Sequence, residues 1–195
     1  MFYLRQHLMK HIAIFASGNG SNAEAIIEHF KGHATIKVSL VITNNPEAGV
    51  IKVAHGHKII SAIISKNALN DPEILGRLLS ALNIDMIVLA GFLQLIPEYL
   101  LKRYPQAIIN IHPALLPKHG GKGMYGLKVH QAVLANGDTE TGITIHYVNE
   151  HYDEGEVILQ KSTGVEASDS AEAIAGKVQR LEHEWLPKTI ETLLS

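Results

Sequence analysis

The segment Asn110-Ile111-His112-Pro113-Ala114-Leu115-Leu116-Pro117 sets a carboxamide and an imidazole two residues apart at the end of an apolar run. Ile108-Ile109 read as strand, and Pro113, which has no N–H to give a ladder, stops it. Side chains alternate along a strand, so Asn110 and His112 fall on one face, at the rim of the sheet rather than its middle. An imidazole there can exchange a proton near neutral pH, and a carboxamide beside it can donate to a developing oxyanion. The pair by itself suits a strand-end histidine capping the next loop equally well.

Three further segments could meet a ligand. Ser17-Gly18-Asn19-Gly20-Ser21-Asn22-Ala23 joins the first apolar run to the first helical pattern, and its glycines let backbone amides approach an anion at a helix N-terminus. Its G-x-G-x-x-A form invites a dinucleotide, but that ligand expects an acid ending the second strand, where Thr43-Asn44-Asn45 has none. A phosphate monoester suits the turn better. Ala90-Gly91-Phe92-Leu93-Gln94-Leu95-Ile96 could wall a pocket for a flat heteroaromatic ring, or simply pack the core. Asn149-Glu150-His151-Tyr152-Asp153-Glu154-Gly155 brings three acids and a histidine together, as a solvated turn or as carboxylates near His112. A carboxylate so placed would favour protonated His112 and relay protons. The twelve histidines carry no expectation of a metal.

Positioning these groups requires an ordered scaffold, and the first half alternates strand and helix patterns. Strands are predicted at His11–Ala16, Ile36–Thr43, Lys58–Ile63, Asp85–Ala90 and Ala107–His112, the second a β-branched run suited to a parallel strand covered on both faces. Helices are predicted at Asn22–Phe30, Pro46–His55, Ile74–Leu82 (opened by Asp71-Pro72-Glu73) and Pro97–Tyr104. The second half changes character: a Gly-rich loop, a helix Leu127–Ala135, then strands Thr141–Val148 and Gly155–Val165 as a hairpin at one sheet edge. Asp169-x-x-Glu172 has capping-box spacing and opens a final helix Ala171–Glu184, which Pro187 breaks or bends. The fold class is α/β: a doubly wound, mostly parallel sheet with an antiparallel C-terminal edge hairpin and a long final helix.

Composition narrows the function classes. The 195 residues suit one compact domain, and 46% hydrophobic with 18% charged residues suits a soluble globular one. A net charge of -2 gives bulk electrostatics no purchase on nucleic acid. No cysteine is present, so disulfides and thiolate zinc sites are excluded, and a reducing cytoplasm is the expected location. No apolar run approaches the roughly 20 residues that span a bilayer. Residues 1–9 read as an N-terminal extension, too short and mixed for a signal peptide, and Met9-Lys10 is an equally good start of translation.

Together these segments resemble the phosphoribosylglycinamide formyltransferase family, from Lys10 almost to the C-terminus. Gly-Asn-Gly-Ser-Asn at 18–22, Ala-Gly-Phe at 90–92, Asn-Ile-His-Pro-x-Leu-Leu-Pro at 110–117, Asp153-x-Gly155 and Val-Gln-x-x-Glu-His at 178–183 occur in family order. The resemblance implies a Rossmann-like formyltransferase fold, with residues 10–195 as one catalytic domain. It implies formyl transfer from 10-formyltetrahydrofolate, a co-substrate, to the amine of 5-phosphoribosylglycinamide in purine biosynthesis, with no metal. Asn110, His112 and Asp153 become the catalytic set. Gly20, Ser21, Asn22, Ala23, Glu24, Gln179 and Glu182 fall to the nucleotide. Leu93, Gln94, Leu95, Ile96, Asn110, Asn149, Glu150, His151, Tyr152 and Asp153 fall to the folate.

The same resemblance implies small-molecule partners, neither nucleic acid nor membrane, and leaves a homodimer open. Two departures stand out. Gln94 occupies a position where many relatives carry an arginine, and Lys118–Gly126 is longer than the commoner Pro-Gly-containing loop, a lid or a neutral insertion. Rival readings are methionyl-tRNA formyltransferase, which normally adds a basic domain, a formyltetrahydrofolate hydrolase, and a non-enzymatic nucleotide-binding module.

Overall fold

The computed structural model describes residues 9–195, so the expected extension at 1–9 lies, but for Met9, outside the described residues. In chain order come β1 (Lys10–Phe15), α1 (Ser21–His29), β2 (Ile36–Thr43), α2 (Val50–Gly56), β3 (Ile60–Ile63) and α3 (Lys66–Leu69). A π-helical turn at Pro72–Gly76 leads into α4 (Arg77–Ala81), followed by β4 (Ile84–Leu89), α5 (Glu98–Arg103) and β5 (Ile108–His112). The last elements are α6 (Leu127–Ala135), β6 (Glu140–Tyr147), β7 (Val157–Gly164) and α7 (Ala171–Leu194).

The seven strands lie in the order β3-β2-β1-β4-β5-β6-β7. Pairing is parallel from β3 to β5 and antiparallel for β5-β6 and β6-β7, as expected of a wound sheet closed by an edge hairpin. Strand order reverses between β1 and β4, where ligands collect outside the carboxyl ends of such sheets. Alternation along β1 divides the core: Ile12 and Ile14 pack with Ile26, Val50, Val133 and Val178 of α1, α2, α6 and α7. Ala13 and Phe15 face the other way, against Leu69, Leu75, Leu79 and Leu100 of α3 to α5.

Most strand boundaries shift by one or two residues, α3 and the π-helical turn were not expected, and the larger differences lie in the second and final helices. The second helix starts at Val50, not Pro46, because Asn45 closes a turn first: its Oδ1 accepts from Glu47 N at 3.0 Å and its carbonyl from Ala48 N at 3.1 Å. The final helix is capped by Ser170, whose hydroxyl accepts from Ala173 N at 3.2 Å. Asp169 instead accepts from Glu166 N and from Lys177 Nζ. That helix also runs unbroken through Pro187 to Leu194. A mid-helix proline costs about 3 kcal/mol. Burial of Leu186, Pro187 and Ile190 on the sheet offsets it.

Candidate active site

The first strand-to-helix turn is tied to the segments that follow two other strands, β2 and β4, by Ser17. Ser17 Oγ donates to Asn44 Oδ1 at 2.5 Å and accepts from Leu93 N at 3.1 Å, while Ser17 N donates to Gly91 O at 3.0 Å. Gly20 then takes φ +88°, and a Cβ there would stand 2.7 Å from Val50 Cα. Only glycine fits both the left-handed backbone and the gap. Gly20 caps α1 without a side-chain hydrogen bond, so the first amides of a nine-residue helix stay open to an anion.

Two side chains of this turn are tied to α7. Asn22 Nδ2 donates to Glu182 Oε2 at 3.1 Å, and Gln179 Nε2 donates to Ser21 Oγ at 3.1 Å. Asn22 Oδ1 is buried without a partner. Burial pushes the Glu182 carboxyl up to about 7, although the Asn22 amide pulls it the other way. A cleft of about 850 Å³ opens beside Asn22, Gln179 and Glu182 and runs to Asn110, His112 and Asp153.

The β5 rim behaves as the alternation requires: Asn110 and His112 share a face and pair in register with His146 and Thr144 of β6. His146 Nδ1 donates to Tyr147 O at 2.8 Å, which leaves Nε2 to accept from Asn110 Nδ2 at 3.0 Å. The second Asn110 amide hydrogen reaches Asp153 Oδ1 at 3.3 Å. Asp153 Oδ2 stands 3.4 Å from His112 Nδ1 and accepts from Gly121 N at 2.9 Å, and His112 Nε2 donates to His119 O at 2.8 Å. Asp153 itself has φ +59°, a conformation aspartate tolerates better than most residues. Gly155 is glycine because a Cβ would lie 1.6 Å from Tyr147 O, and this close approach turns the hairpin back so that Asp153 meets β5.

Burial lowers the His112 pKa and outweighs the opposing pull of Asp153 and the His119 carbonyl. The expected pull of Asp153 toward protonated His112 is present, but burial outweighs it, and the Nε2 hydrogen of the ring points to His119 O. Burial alone would raise Asp153, but the imidazoles of His146 and His112 and the Gly121 amide bring it below the usual carboxylate range. An imidazole nitrogen beside a carboxylate can accept a proton, the carboxylate stabilising the imidazolium that forms.

Residues 10–190 match the family model described as formyl transferase. The chain belongs to the formyl transferase family. This formyl transferase is 39% identical over 191 residues to the phosphoribosylglycinamide formyltransferase of Bacillus subtilis (strain 168), with 95% of each chain covered. It is 40% identical over 190 residues, 94% of its length, to the chloroplastic phosphoribosylglycinamide formyltransferase of Vigna unguiculata. It spans 61% of that relative and 62% of the corresponding Arabidopsis thaliana protein. The phosphoribosylglycinamide formyltransferase structure from Bacillus halodurans shares its fold with a TM-score of 0.85 at 37% identity, covering 95% of this chain and 96% of that one.

Within this formyl transferase the expected site residues separate into groups. Asn110, His112 and Asp153 meet, and Asn22, Gln179, Glu182, Leu93 and Tyr152 line the same cleft. Gln94, Leu95, Ile96, Glu150 and again Leu93 and Tyr152 line an adjoining cavity of about 550 Å³. His151 borders a small hollow of about 60 Å³ between the two. Gln94 Oε1 is buried there without a partner. Asn149 lines none of these three cavities; its Oδ1 holds the turn by accepting from His151 N. Gly20 and Ser21 belong to the turn between Asn19 and Asn22 but do not themselves line the cleft, Ala23 is buried in the core and Glu24 is exposed on α1.

His146 escaped the sequence reading, though alternation in Thr144-x-His146 opposite Asn110-x-His112 was a usable signal. His130, buried with Nδ1 unpartnered and lining the cleft, gave none. Paired histidine spacings, which the expectation of no metal took to be missing, do occur at His29/His33 and His55/His57, four and two residues apart. His29 and His33 both contact Glu191, and His57 contacts Glu28. Among the described residues no group of three or more ligating side chains is arranged to hold a metal, and no helix is long and apolar enough to cross a membrane.

Proposed function

We propose that this chain transfers the formyl group of 10-formyltetrahydrofolate to the amine of 5-phosphoribosylglycinamide, with residues 10–195 as the catalytic unit. One observation carries the reading: Asn110, His112 and Asp153 border a cleft that also reaches Asn22 at the uncapped start of α1, and Asn110 and Asp153 border the small hollow that leads to a second cavity. The nucleotide phosphate sits at the Gly20–Asn22 turn, where open amides suit an anion. The folate lies along Leu93–Ile96 and Asn149–Asp153.

The substrate amine is the nucleophile. Its attack on the formyl carbon forms the C–N bond and a tetrahedral oxyanion. The Asn110 amide turns its weaker hydrogen bond from Asp153 toward that oxygen, a contribution on the order of 3 kcal/mol. The amine proton passes to neutral His112 at Nδ1, directly or through water, and Asp153 stabilises the resulting imidazolium. Collapse breaks the bond to the folate nitrogen, which takes the proton back. Holding both substrates in one cleft supplies much of the remaining acceleration.

Both partners in this reaction are small molecules, and every group named comes from one chain. A cytoplasmic location accords with the cysteine-free sequence. The test is folate product absorbance with and without the nucleotide amine. Turnover that requires the amine and yields a formylated product supports the reading, whereas formate released without it would make the chain a hydrolase.

A further inference from the structure

The loop after the His-Pro motif is fastened by side chains that no reading above uses. Asp138, in the connection from α6 to β6, is nearly enclosed and accepts three hydrogen bonds: from His119 Nε2 at 2.5 Å, Lys118 Nζ at 3.0 Å and Asn136 Nδ2 at 3.0 Å. The His119 ring is almost as enclosed, with 12% of its side chain exposed. Its backbone takes φ +54°, which for a residue with a Cβ must be held by its surroundings. The carbonyl of this same residue accepts from His112 Nε2 at 2.8 Å, and two residues on the Gly121 amide donates to Asp153 Oδ2 at 2.9 Å.

We propose that His119 and Asp138 are a positioning pair for formyl transfer, their side-chain contact docking the loop so that its backbone holds His112 in one tautomer and Asp153 in one orientation. The pair touches neither reacting atoms nor the phosphate turn. It fixes which imidazole nitrogen is basic: with the Nε2 hydrogen committed to His119 O, Nδ1 is the nitrogen left to receive a proton beside Asp153. Undocked, His112 Nε2 and Asp153 Oδ2 would each exchange a fixed backbone partner for water, and both ring tautomers would be populated. The proposal rests on the formyl-transfer reading but has a readout that does not depend on turnover.

The variants are Asp138→Ala, His119→Ala and the conservative His119→Gln, which keeps a donor for the carboxylate; all retain the residue 119 carbonyl. Two measurements on the folded full chain precede kinetics: imidazole nitrogen chemical shifts of His112, and hydrogen exchange at the Gly121 amide. In the unaltered protein His112 should show the Nε2–H tautomer and Gly121 should be protected. Asp138→Ala and His119→Ala should average the two tautomers and speed Gly121 exchange at least tenfold. With both substrates they should lower kcat at least tenfold while the nucleotide KM stays within twofold, and His119→Gln should recover most of the loss. Unchanged shifts and exchange in a folded Asp138→Ala protein overturn the proposal, as does a kcat within twofold of normal. Absence of amine-dependent turnover in the unaltered protein would instead remove the formyl-transfer reading, and the positioning role with it.

Discussion

The turn at Ser17–Ala23 and the loop at Lys118–Gly126 serve the same cleft, yet they are held by different means. The turn is bound by backbone and by steric fit: Ser17 ties β1 to the ends of β2 and β4, and Gly20 lies where any Cβ would strike Val50. The loop is fastened mainly by polar contacts at its first half, through His119 and Lys118 to Asp138 and through Gly121 to Asp153, with Gly120 packed close to Leu116. A phosphate needs a fixed set of amides, which a tightly packed turn supplies without rearrangement. Proton transfer needs donors and acceptors that can be exchanged during the reaction, which hydrogen bonds allow and close packing does not.

The largest expected effect breaks the proton-handling end. His112→Ala and Asp153→Asn should each lower kcat by about a hundredfold or more with thermal unfolding near normal, since each removes a group acting on the transition state. Near-normal turnover at saturating substrates would show that the residue has another task. At the other end, Gly20→Ala should destabilise the protein by roughly 2 kcal/mol, through a strained φ and a clash with Val50. Calorimetry would register this as a lower Tm; an unchanged Tm would mean that the turn yields, contrary to the contrast drawn here.

Smaller effects sharpen the same contrast. Asn22→Ala and Ser21→Ala should raise the nucleotide KM by about tenfold or less while leaving the folate KM nearly unchanged, because the turn binds away from the reacting atoms. Equal weakening of both substrates would point to a damaged scaffold. A separate effect is a change in pH dependence. The Glu182 carboxyl titrates at about 7 in the fold, against an ordinary value of 4.5. Between those values the unfolded chain has released a proton that the folded one keeps, so the native protein loses stability as pH rises from about 4.5 to 7. Glu182→Gln should remove that loss, gaining on the native protein across this window and matching it more closely below. Denaturant unfolding at several pH values checks it, and parallel curves would show that burial does not raise this carboxyl.

Much of this was legible in the chain because local rules govern it. Alternation along β5 put Asn110 and His112 on one face, and β-branched runs marked the parallel strands. Asp71-Pro72 signalled a helical start, and Asp71 Oδ1 does accept from Glu73 N at 2.8 Å. Where local rules failed, a distant partner had intervened. Pro187 does not end α7 because the core buries the residues around it, and Ser170 rather than Asp169 caps that helix because Lys177 and Glu166 engage the aspartate.

The sequence by itself determined most element types, the wound and mostly parallel class of the sheet and the segments that could meet a ligand, since periodicity and turn chemistry are read within a few residues. Tertiary structure alone decided the protonation of the site. Whether His112 rests charged depends on how much water its ring loses, and that follows from the packing of β5, β6 and the loop around it. Nor could spacing join His119 to Asp138, 19 residues apart, or Asn22 to Glu182, 160 apart. Those contacts exist because the loop folds back on the α6–β6 connection and α7 returns along α1. Desolvation and long-range pairing are properties of the assembled chain, and no window of sequence contains them.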